Sequence, residues 1–404
     1  MASSIGKNIK ISIFGESHGP AVGVVIEGIQ AGTEIYLNEL NKLMMERMGM
    51  DMPGTTARKE PEHLEFLSGV RMENDYSRCH ATGTPISVII RNENFNSDDY
   101  SKNEGVIRPG HADLTQIIKW GEYAEIVGGG HLSGRLTAPL AVAGGICLQL
   151  LAKEGIELSA GLRSLGRHEL SCKASEAFGS EDFCSEISTI VEGAKKEGDS
   201  LGGIVWVKAK GIPAGIGEPI FDKVESKLGQ MIFSIPAVKG LEFGSGFDGA
   251  RMKGSENNDE FRLADDESCM ADENSTEADF RERNGVEHYI DYGCYDSSLC
   301  DSNCSDNFTS DKPYGISLMS NNCGGLLGGI TTGTDLCFNV AVKPTPSISK
   351  PQRTVNLKTK QNVLLSTEGR HDVSVAIRTV PVIRAATALV LYDLYIDYKE
   401  NQNG

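Results

Sequence analysis

The order of helical and strand-like segments is the feature that most constrains the fold of this chain. Residues 9–13 alternate apolar and polar side chains, which is typical of a half-buried strand. Because the segments that follow lack the regular β-α-β-α rhythm of a doubly wound sheet, the sequence predicts a mixed α+β layered architecture. The helix at 136–155 is predicted to be buried and to end at Gly155, whereas the helix at 380–398 is predicted to be amphipathic. The other predicted elements are a helix at 36–48, strands at 85–92 and 202–212, and a helix at 221–235.

One acidic segment interrupts this patterned sequence. Residues 256–312 contain 17 Asp or Glu against four Lys or Arg, so they carry a net charge of −13 out of −17 for the whole chain. Within this segment, residues 263–312 have few aliphatic side chains and no sustained periodicity, which predicts a solvated, disordered insertion. The rest of the chain is only mildly acidic, and the overall negative charge argues against a nucleic-acid partner.

The ten cysteines predict neither a metal site nor a disulfide framework. Cys269, Cys294, Cys300 and Cys304 lie in the acidic segment, but they lack the closely paired C-x2-C spacing that is usual for zinc. No apolar run approaches the roughly 18 residues of a membrane helix. The first residues also carry no apolar run like that of a signal peptide. A soluble cytoplasmic protein with no membrane partner is therefore expected.

The first glycine-rich motif, Gly15–Gly19 (GESHG), has the G-x-S-x-G pattern that exposes a nucleophilic serine in hydrolases. Such a serine lies above a sheet built from several preceding strands, whereas the sequence before Ser17 has room for only one. A serine hydrolase that uses Ser17 is therefore a minor alternative. The neighbouring His18 is the second candidate, because imidazole titrates near neutrality and suits proton transfer.

Two later glycine clusters are candidates for binding phosphate. The first, 127–139 (VGGGHLSGRLTAP), stands just before a predicted helix, where backbone N–H groups and the helix N-terminus favour an anion. The second, 321–333, precedes 343–354 (KPTPSISKPQRT), which contains Lys343 and Ser347. An ordinary loop followed by a helix cap is the alternative interpretation.

Histidines and arginines concentrate in the same motifs. His18, His111 (RPGHAD) and His371 (GRHD) stand in compact Gly/Arg/Asp contexts, and three such contexts favour a shared site over three separate structural hydrogen bonds. Guanidinium groups match carboxylates and phosphates, so the arginines predict a cationic pocket for a small polyanion. These arginines are Arg47, Arg58, Arg108, Arg135, Arg370 and Arg378.

Taken together, seven motifs are similar in order and spacing to those of the chorismate synthase family. They are GESHG (15–19), RPGHAD (108–113), GGGHLSGR (128–135), SIPAVKGLEFGSGF (234–247), NNCGGLLGGI (321–330), KPTPSISKPQ (343–352) and GRHDVSVAIRTVPV (369–382). The resemblance covers the chain apart from the acidic insertion. It implies one domain over 1–404 with a layered β-α-β sandwich, and the insertion at 263–312 within it.

The resemblance also implies an activity. It is that of a carbon–oxygen lyase acting on phosphates, which converts 5-enolpyruvylshikimate 3-phosphate into chorismate and phosphate in the last step of the shikimate pathway. The reaction is a 1,4-anti elimination in which phosphate leaves C3 and a hydrogen leaves C6. The family needs reduced FMN, for which NADPH is a candidate reductant, and the resemblance suggests a homotetramer.

Roles for individual residues follow from the matching motifs. His18 resembles the acid near the departing phosphate, His111 the histidine that manages the proton at the flavin, and Asp372 the carboxylate that helps to remove the C6 proton. Ser17 and Ser133 resemble supporting hydroxyls. The positions that match FMN-binding residues are His131, Leu132, Ser133, Pro236, Ala237, Gly328, Lys343, Pro344, Thr345, Pro346, Ser347 and Arg370. The positions that match substrate- or NADP-binding arginines are Arg47, Arg58 and Arg135.

The sequence departs from the family pattern at several positions. Val127 replaces a common arginine, Pro236 a usual asparagine and Arg384 a usual glutamate, and the arginine that often follows Gly54 is absent. Pro236 also removes a backbone donor from the expected flavin site. These changes are expected to weaken anion or flavin contacts, so a non-catalytic flavin-binding relative is the main alternative. Because all three proposed catalytic residues are present, an active enzyme is expected.

Overall fold

The computed structural model describes residues 3–49, 52–55, 62–92, 105–171, 178–263, 313–367 and 371–402. Arg58 and Arg370 lie outside the described residues, and so does the predicted acidic insertion apart from its first residue, Leu263.

The described part of the chain contains both strands and helices. The strands are β1 (Ser4–Ile5), β2 (Lys10–Gly15), β3 (Ala21–Glu27), β4 (Glu34–Tyr36), β5 (Glu65–Ser68), β6 (Val70–Met72), β7 (Arg78–Ala81), β8 (Ile86–Arg91), β9 (Glu157–Leu165), β10 (His168–Glu169), β11 (Gly203–Lys210), β12 (Val238–Phe243), β13 (Phe261–Leu263), β14 (Ile316–Leu318), β15 (Leu326–Leu327), β16 (Ile330–Thr331), β17 (Leu336–Val342), β18 (Gln352–Asn356) and β19 (Gln361–Leu365). The helices are α1 (Leu37–Met48), α2 (Asp113–Trp120), α3 (Thr137–Lys153), α4 (Glu181–Lys196), α5 (Val224–Ile232), α6 (Gly246–Gly249), α7 (Gly254–Asn257) and α8 (Val375–Gln402).

Two antiparallel five-stranded sheets form the outer layers of the fold. The first has the strand order β1-β2-β3-β8-β5, and the second has the order β10-β9-β11-β17-β12. In the first sheet, β2 pairs with β3 so that Ile11 lies opposite Ile26 and both side chains are buried. This alternation of inward apolar and outward polar side chains confirms the strand predicted at 9–13.

Helices α1, α3 and α8 fill the space between the two sheets. Helix α3 packs against β3 and β8 of the first sheet and against β9 of the second, while α8 packs against β9, β11 and α3. The two long helices approach so closely that a Cβ added to Gly144 would lie 2.1 Å from the carbonyl oxygen of Ala385. This arrangement confirms the predicted layered β-α-β sandwich, with the apolar core between the sheets.

Most of the predicted elements agree with the structure. Helix α3 ends where expected: Gly155 has a φ of +77°, and Ile156 donates its backbone N–H to the carbonyl of Leu151 across it. The prediction for α8 was wrong in two respects. The helix begins at Val375, ahead of the predicted start, and side chains on more than one face are buried because the helix lies between α3, α1 and the second sheet.

Two apolar helical stretches correct the expectation that nothing in the chain reaches membrane length. Val127–Lys153 and Val375–Gln402 are long and apolar enough to span a membrane by length and composition. However, 78% of the most apolar window of each stretch is buried within the protein. Burial of this extent is typical of the core helices of a soluble protein.

Candidate active site

The GESHG motif forms the connection between β2 and β3. Gly15 has a φ of +94°, and a Cβ at this position would lie 2.3 Å from the carbonyl oxygen of Ala21 on the opposite strand. Only glycine accepts both conditions without strain. The connection, residues 15–20, is called the His18 loop below.

The His18 loop lies against three consecutive glycines, Gly128, Gly129 and Gly130, which we call the triglycine loop. Their φ angles are +60°, +87° and +53°. A Cβ added to Gly128 would lie 2.2 Å from Cδ2 of His18, so the imidazole packs directly against the glycine backbone. The two loops are joined by two hydrogen bonds. Ser17 donates its backbone N–H to the carbonyl of Gly130 (3.2 Å) and its hydroxyl to the carbonyl of Gly128 (3.0 Å).

The geometry of Ser17 speaks against the hydrolase alternative. A nucleophilic serine gives its hydroxyl proton to a general base, most often an imidazole. Here the hydroxyl donates to a backbone carbonyl, which is not a base at neutral pH. Ser17 therefore connects the His18 loop to the triglycine loop through its two hydrogen bonds.

His131 connects the triglycine loop to the N-terminal sheet. Its Nδ1 lies 2.8 Å from the carbonyl oxygen of Gly15, which only accepts, so this nitrogen carries the proton. In the neutral ring, Nε2 then accepts from the hydroxyl of Ser3 at 3.2 Å. Leu132 next to it is exposed, and the hydroxyl of Ser133 accepts from the backbone N–H of Arg135.

Two of the predicted arginines share one buried carboxylate. Oε1 of Glu62 accepts from Nη1 of Arg47 at 2.6 Å and also from Nη1 of Arg135. The remaining Arg47 nitrogens donate to Thr137 and to the carbonyl of Gly134, and Arg47 is only 3% exposed. Burial lowers the pKa of Arg47 to about 10, so the guanidinium stays charged at neutral pH.

The two arginines differ in exposure. Arg47 is enclosed by structural partners, whereas the side chain of Arg135 is 22% exposed. Direct binding of substrate or nucleotide by Arg47 stays a prediction. Arg135 is the more accessible of the two guanidinium groups.

Arg378 connects Asp372 to Arg47, Arg135 and Glu62, and we call these five residues the arginine cluster. Its Oδ2 accepts from Nη1 of Arg378 at 3.1 Å, and Nε of Arg378 donates to the backbone carbonyl of Arg47 at 3.1 Å. Three guanidinium groups and two carboxylates are thus connected. The cluster carries one net positive charge, which favours an anionic ligand.

The RPGHAD segment, residues 108–113, forms a second loop that we call the His111 loop. Nε and Nη2 of Arg108 make a bidentate pair with the buried carboxylate of Asp113, at 2.8 and 2.7 Å. Nη2 of Arg108 also donates to the carbonyl of Ile126, two residues before the triglycine loop. The His18 loop thus contacts the triglycine loop directly, and the His111 loop contacts the residue two positions before it.

Both nitrogens of the His111 ring have partners. Nδ1 lies 3.0 Å from the carbonyl oxygen of Pro109 and therefore carries the proton, while Nε2 lies 3.1 Å from the hydroxyl of Ser347. Burial, together with the charges of Arg108 and Lys343, lowers the pKa of His111. The imidazole is consequently neutral at pH 7.

The predicted flavin segment, Lys343–Ser347, packs on the His111 loop. The ammonium of Lys343 donates to the carbonyl of Gly110 at 2.6 Å, and its backbone N–H donates to the carbonyl of Ala237 at 2.9 Å. Ala237 has a φ of +72°, which is unusual for a residue with a side chain. Ala237 and Lys343, two of the positions predicted to bind FMN, are therefore neighbours in the fold.

One predicted cofactor position lies in a hairpin turn, and one departure from the family pattern forms an ion pair. Gly328 lies in the turn of the β15–β16 hairpin, where the adjacent Gly329 packs on Lys223. Arg384 forms an ion pair with Glu46 at 2.7 Å, which links α8 to α1. This substitution therefore contributes a contact between two core helices.

Sequence reasoning missed Asn92 and Glu62. Asn92 donates from its side-chain amide to the carbonyls of Glu16 and Gly19 and accepts from Nε of Arg135. The only available signal was its position as the last residue of the strand predicted at 85–92. Glu62 offered no signal, because its partners Arg47 and Arg135 are distant in sequence.

Comparison with known proteins identifies the family. The chorismate synthase family model matches residues 9–396. A chorismate synthase of Dehalococcoides mccartyi is 38% identical over 98% of this chain and 96% of its own length, and those of Korarchaeum cryptofilum and Thermococcus kodakarensis are each 36% identical over 96% of both chains. A crystal structure of chorismate synthase has the same fold, with a TM-score of 0.66 at 23% identity over 98% of this chain and 93% of that one. The chain therefore belongs to the chorismate synthase family.

Proposed function

We propose that this site converts 5-enolpyruvylshikimate 3-phosphate into chorismate and phosphate by a 1,4-anti elimination. Membership of the family makes the chain a lyase of aromatic amino-acid biosynthesis. The observation that carries the proposal is the short segment 126–130, in which Gly128 accepts a hydrogen bond from Ser17 of the His18 loop and Ile126 accepts one from Arg108 of the His111 loop. The loops of two histidines that are distant in sequence are thereby attached to one short, glycine-rich segment.

The proposed substrate carries a phosphate and two carboxylates, and the cluster around Arg135 supports binding of such a polyanion. Because Glu62 neutralises only one of its two guanidinium partners, a net positive charge is left over. His18, packed on Gly128, is proposed as the acid that protonates the departing phosphate.

Asp372 is proposed to help remove the C6 proton of the substrate, and His111 is proposed to manage the proton at the flavin. Asp372 accepts a hydrogen bond from Arg378, which holds its carboxylate in place for the proposed role. His111 is neutral with its proton on Nδ1, so Nε2 is able to accept a proton when the Ser347 hydroxyl turns away. Ser17 and Ser133 are proposed to support the loops that bear the reacting groups.

Reduced FMN fits the residues present next to His111. The hydroxyl oxygen of Thr345 is buried and has no hydrogen-bond partner among the described residues, as expected for a group that binds a ligand. Lys343 and Ser347 flank it and offer an ammonium and a hydroxyl. Bound reduced FMN would supply electron density to the elimination. Residues 343–347, Pro236, Ala237 and 131–133 are proposed to hold it; Gly328 and Arg370 remain predictions.

Further details are proposed with the activity. We infer that the enzyme is a carbon–oxygen lyase acting on phosphates, that it is cytoplasmic and homotetrameric, and that NADPH is the reductant of its flavin. Light scattering of the purified chain tests the tetramer. Stopped-flow reduction of bound FMN by NADPH alone tests the reductant.

A non-catalytic flavin-binding relative is the second candidate. The observation in its favour is that Arg47 is turned toward Glu62 and away from solvent, while Val127 stands where a further arginine is common. Such a relative would bind FMN without releasing phosphate.

Anaerobic turnover with chemically reduced FMN separates these two candidates. We expect chorismate and phosphate to appear in equal amounts, and neither to form with oxidised FMN. His111→Gln and Asp372→Asn should each lower kcat by about 100-fold or more, whereas His168→Gln, on the exposed strand β10, should leave kcat unchanged. FMN binding without product in the unaltered protein would favour the non-catalytic relative.

A further inference from the structure

Asn92 occupies a position that links two parts of the site. It directly follows β8, next to the connection between β2 and β3. Its side-chain amide donates to the carbonyl of Glu16 at 3.0 Å and to the carbonyl of Gly19 at 2.8 Å. Its backbone N–H donates to the carbonyl of Pro20 at 3.1 Å. Both amide hydrogens are therefore used to span the His18 loop from one side to the other.

The oxygen of the same amide points to the arginine cluster. Oδ1 of Asn92 accepts from Nε of Arg135 at 2.9 Å. Nη1 of Arg135 is held by Glu62, and its Nη2 donates to the backbone carbonyl of Arg91 at 3.2 Å. Each nitrogen of this guanidinium thus has its own partner, and Asn92 holds the one nearest the side-chain stem.

We propose that Asn92 is a positioning residue that couples the placement of His18 to the orientation of the Arg135 guanidinium. The catalytic meaning of this coupling rests on the proposed function, in which His18 acts on the departing phosphate and Arg135 on the substrate anion. The coupling itself rests only on the hydrogen bonds of Asn92.

The chemistry of the contacts explains why an amide is required. The two loop carbonyls accept and need a donor, while Nε of Arg135 donates and needs an acceptor. Asparagine offers both from one planar group. Aspartate keeps the acceptor for Arg135 but has no donor, and its charge repels the two carbonyl oxygens. Asn92→Asp therefore removes the two hydrogen bonds to the His18 loop and keeps an acceptor for Nε of Arg135.

Amide hydrogen exchange tests the coupling without substrate or cofactor. In Asn92→Asp, the amides of Ser17 and Gly19 should exchange at least about tenfold faster, because the loop opens locally. Exchange in α5, which is remote from the loop, should be unchanged. Asn41→Asp introduces the same charge on the exposed face of α1 and is the matched control. Equal exchange in the His18 loop of Asn92→Asp and of the unaltered protein would overturn the proposal.

A second variant approaches the coupling from the arginine side. Arg135→Lys replaces the planar guanidinium, which binds Asn92 and Glu62 through separate nitrogens, with a single ammonium, so Asn92 must compete with the charged Glu62 for one nitrogen. With Asn92 unaltered, we expect exchange of the His18 loop to rise by about threefold. This variant decides the question if Asn92→Asp does not fold. Unchanged loop exchange in folded Arg135→Lys would contradict the coupling.

Steady-state kinetics then connect the coupling to catalysis. For Asn92→Asp we expect kcat to fall by at least about tenfold and KM to rise by a smaller factor, because Arg135 keeps its acceptor but the added carboxylate offsets the positive charge of the arginine cluster. Equal changes in both parameters, or an unchanged kcat, would contradict a positioning role. Absence of product from the unaltered protein would remove the proposed function, yet the exchange data would still decide whether Asn92 couples the two groups.

Discussion

The His18 loop and the His111 loop each present a proposed catalytic histidine, but they are stabilised in different ways. The His18 loop is held by close backbone approach and by hydrogen bonds between neutral groups. Its own carbonyls accept from Asn92, and its Ser17 donates to the carbonyl of Gly128. The His111 loop is held by a buried ion pair, Arg108–Asp113, and by hydrogen bonds at both imidazole nitrogens.

This difference determines what each loop tolerates. A loop that depends on close approach is sensitive to added volume, because a few tenths of an ångström already produce overlap. A loop that depends on a buried ion pair is sensitive to the loss of one charge, because the remaining charge is left without compensation. The two histidines should therefore respond to different kinds of substitution.

The largest effect is expected from a methyl group in the triglycine loop. In Gly128→Ala, the Cβ would lie 2.2 Å from the His18 ring at a φ of +60°, so the imidazole must move. A displacement of this size should lower kcat by about 100-fold. Gly129→Ala is the matched control: its φ of +87° imposes similar backbone strain, but its nearest contact is 3.6 Å away, on Ser133. If both variants lose activity equally, backbone strain and not contact with His18 explains the loss.

A smaller effect, on stability, is expected in the His111 loop. Asp113→Asn removes the charge that compensates Arg108 and should lower the free energy of unfolding by about 3 kcal/mol, measured by urea denaturation. Asp222→Asn, in the exposed pair with Lys227, is the control and should leave the urea midpoint unchanged.

The pH dependence of this effect has a definite sign. Burial alone would raise the pKa of Asp113, but hydrogen bonds and the charge of Arg108 outweigh it, so the pKa is lowered. The stabilisation is therefore present above the unfolded-state pKa of about 3.9 and is lost as the pH falls through the folded-state value. The difference in the free energy of unfolding between the unaltered protein and Asp113→Asn should become smaller below about pH 4. A constant difference down to pH 2 would contradict this origin.

The sequence predicted the elements whose signal is local. The predicted strand at 202–212 and the predicted helix at 136–155 are recognisable from the spacing of their own apolar side chains and from the residues at their ends. The observed strand β11 and helix α3 agree with these predictions. The start of α8 was missed because Pro381 and the β-branched residues before it favour a later beginning, whereas packing between α3 and the second sheet outweighs these preferences.

The site could be predicted only in part, for a related physical reason. Motifs identify loops such as GESHG and RPGHAD because the residues that shape them are adjacent in the chain. Partners such as Asn92 for the His18 loop, or Glu46 for Arg384, depend on which surfaces the fold brings together. For Arg384 the structure adds an ion pair with Glu46 between two helices, while the expected weakening of an anion or flavin contact stays a prediction.

The smallest expected effect concerns the charge state of His111. Burial is the main cause of its lowered pKa, followed by the charge of Arg108, while Lys343 makes a lesser contribution. Lys343→Gln should therefore raise the pKa of His111 slightly toward the ordinary value of about 6.5, as followed by NMR titration of the imidazole C–H signal. Lys210→Gln, at the far exposed end of β11, should leave the signal unchanged. Because the folded-state pKa lies below the unfolded one, stability declines as the pH falls below about 6.5, and Lys343→Gln should weaken that decline. If the pKa of His111 is unchanged or lower in Lys343→Gln, burial and Arg108 alone keep this histidine neutral. The His111 loop would then be less sensitive to the loss of a charge than its contrast with the His18 loop implies.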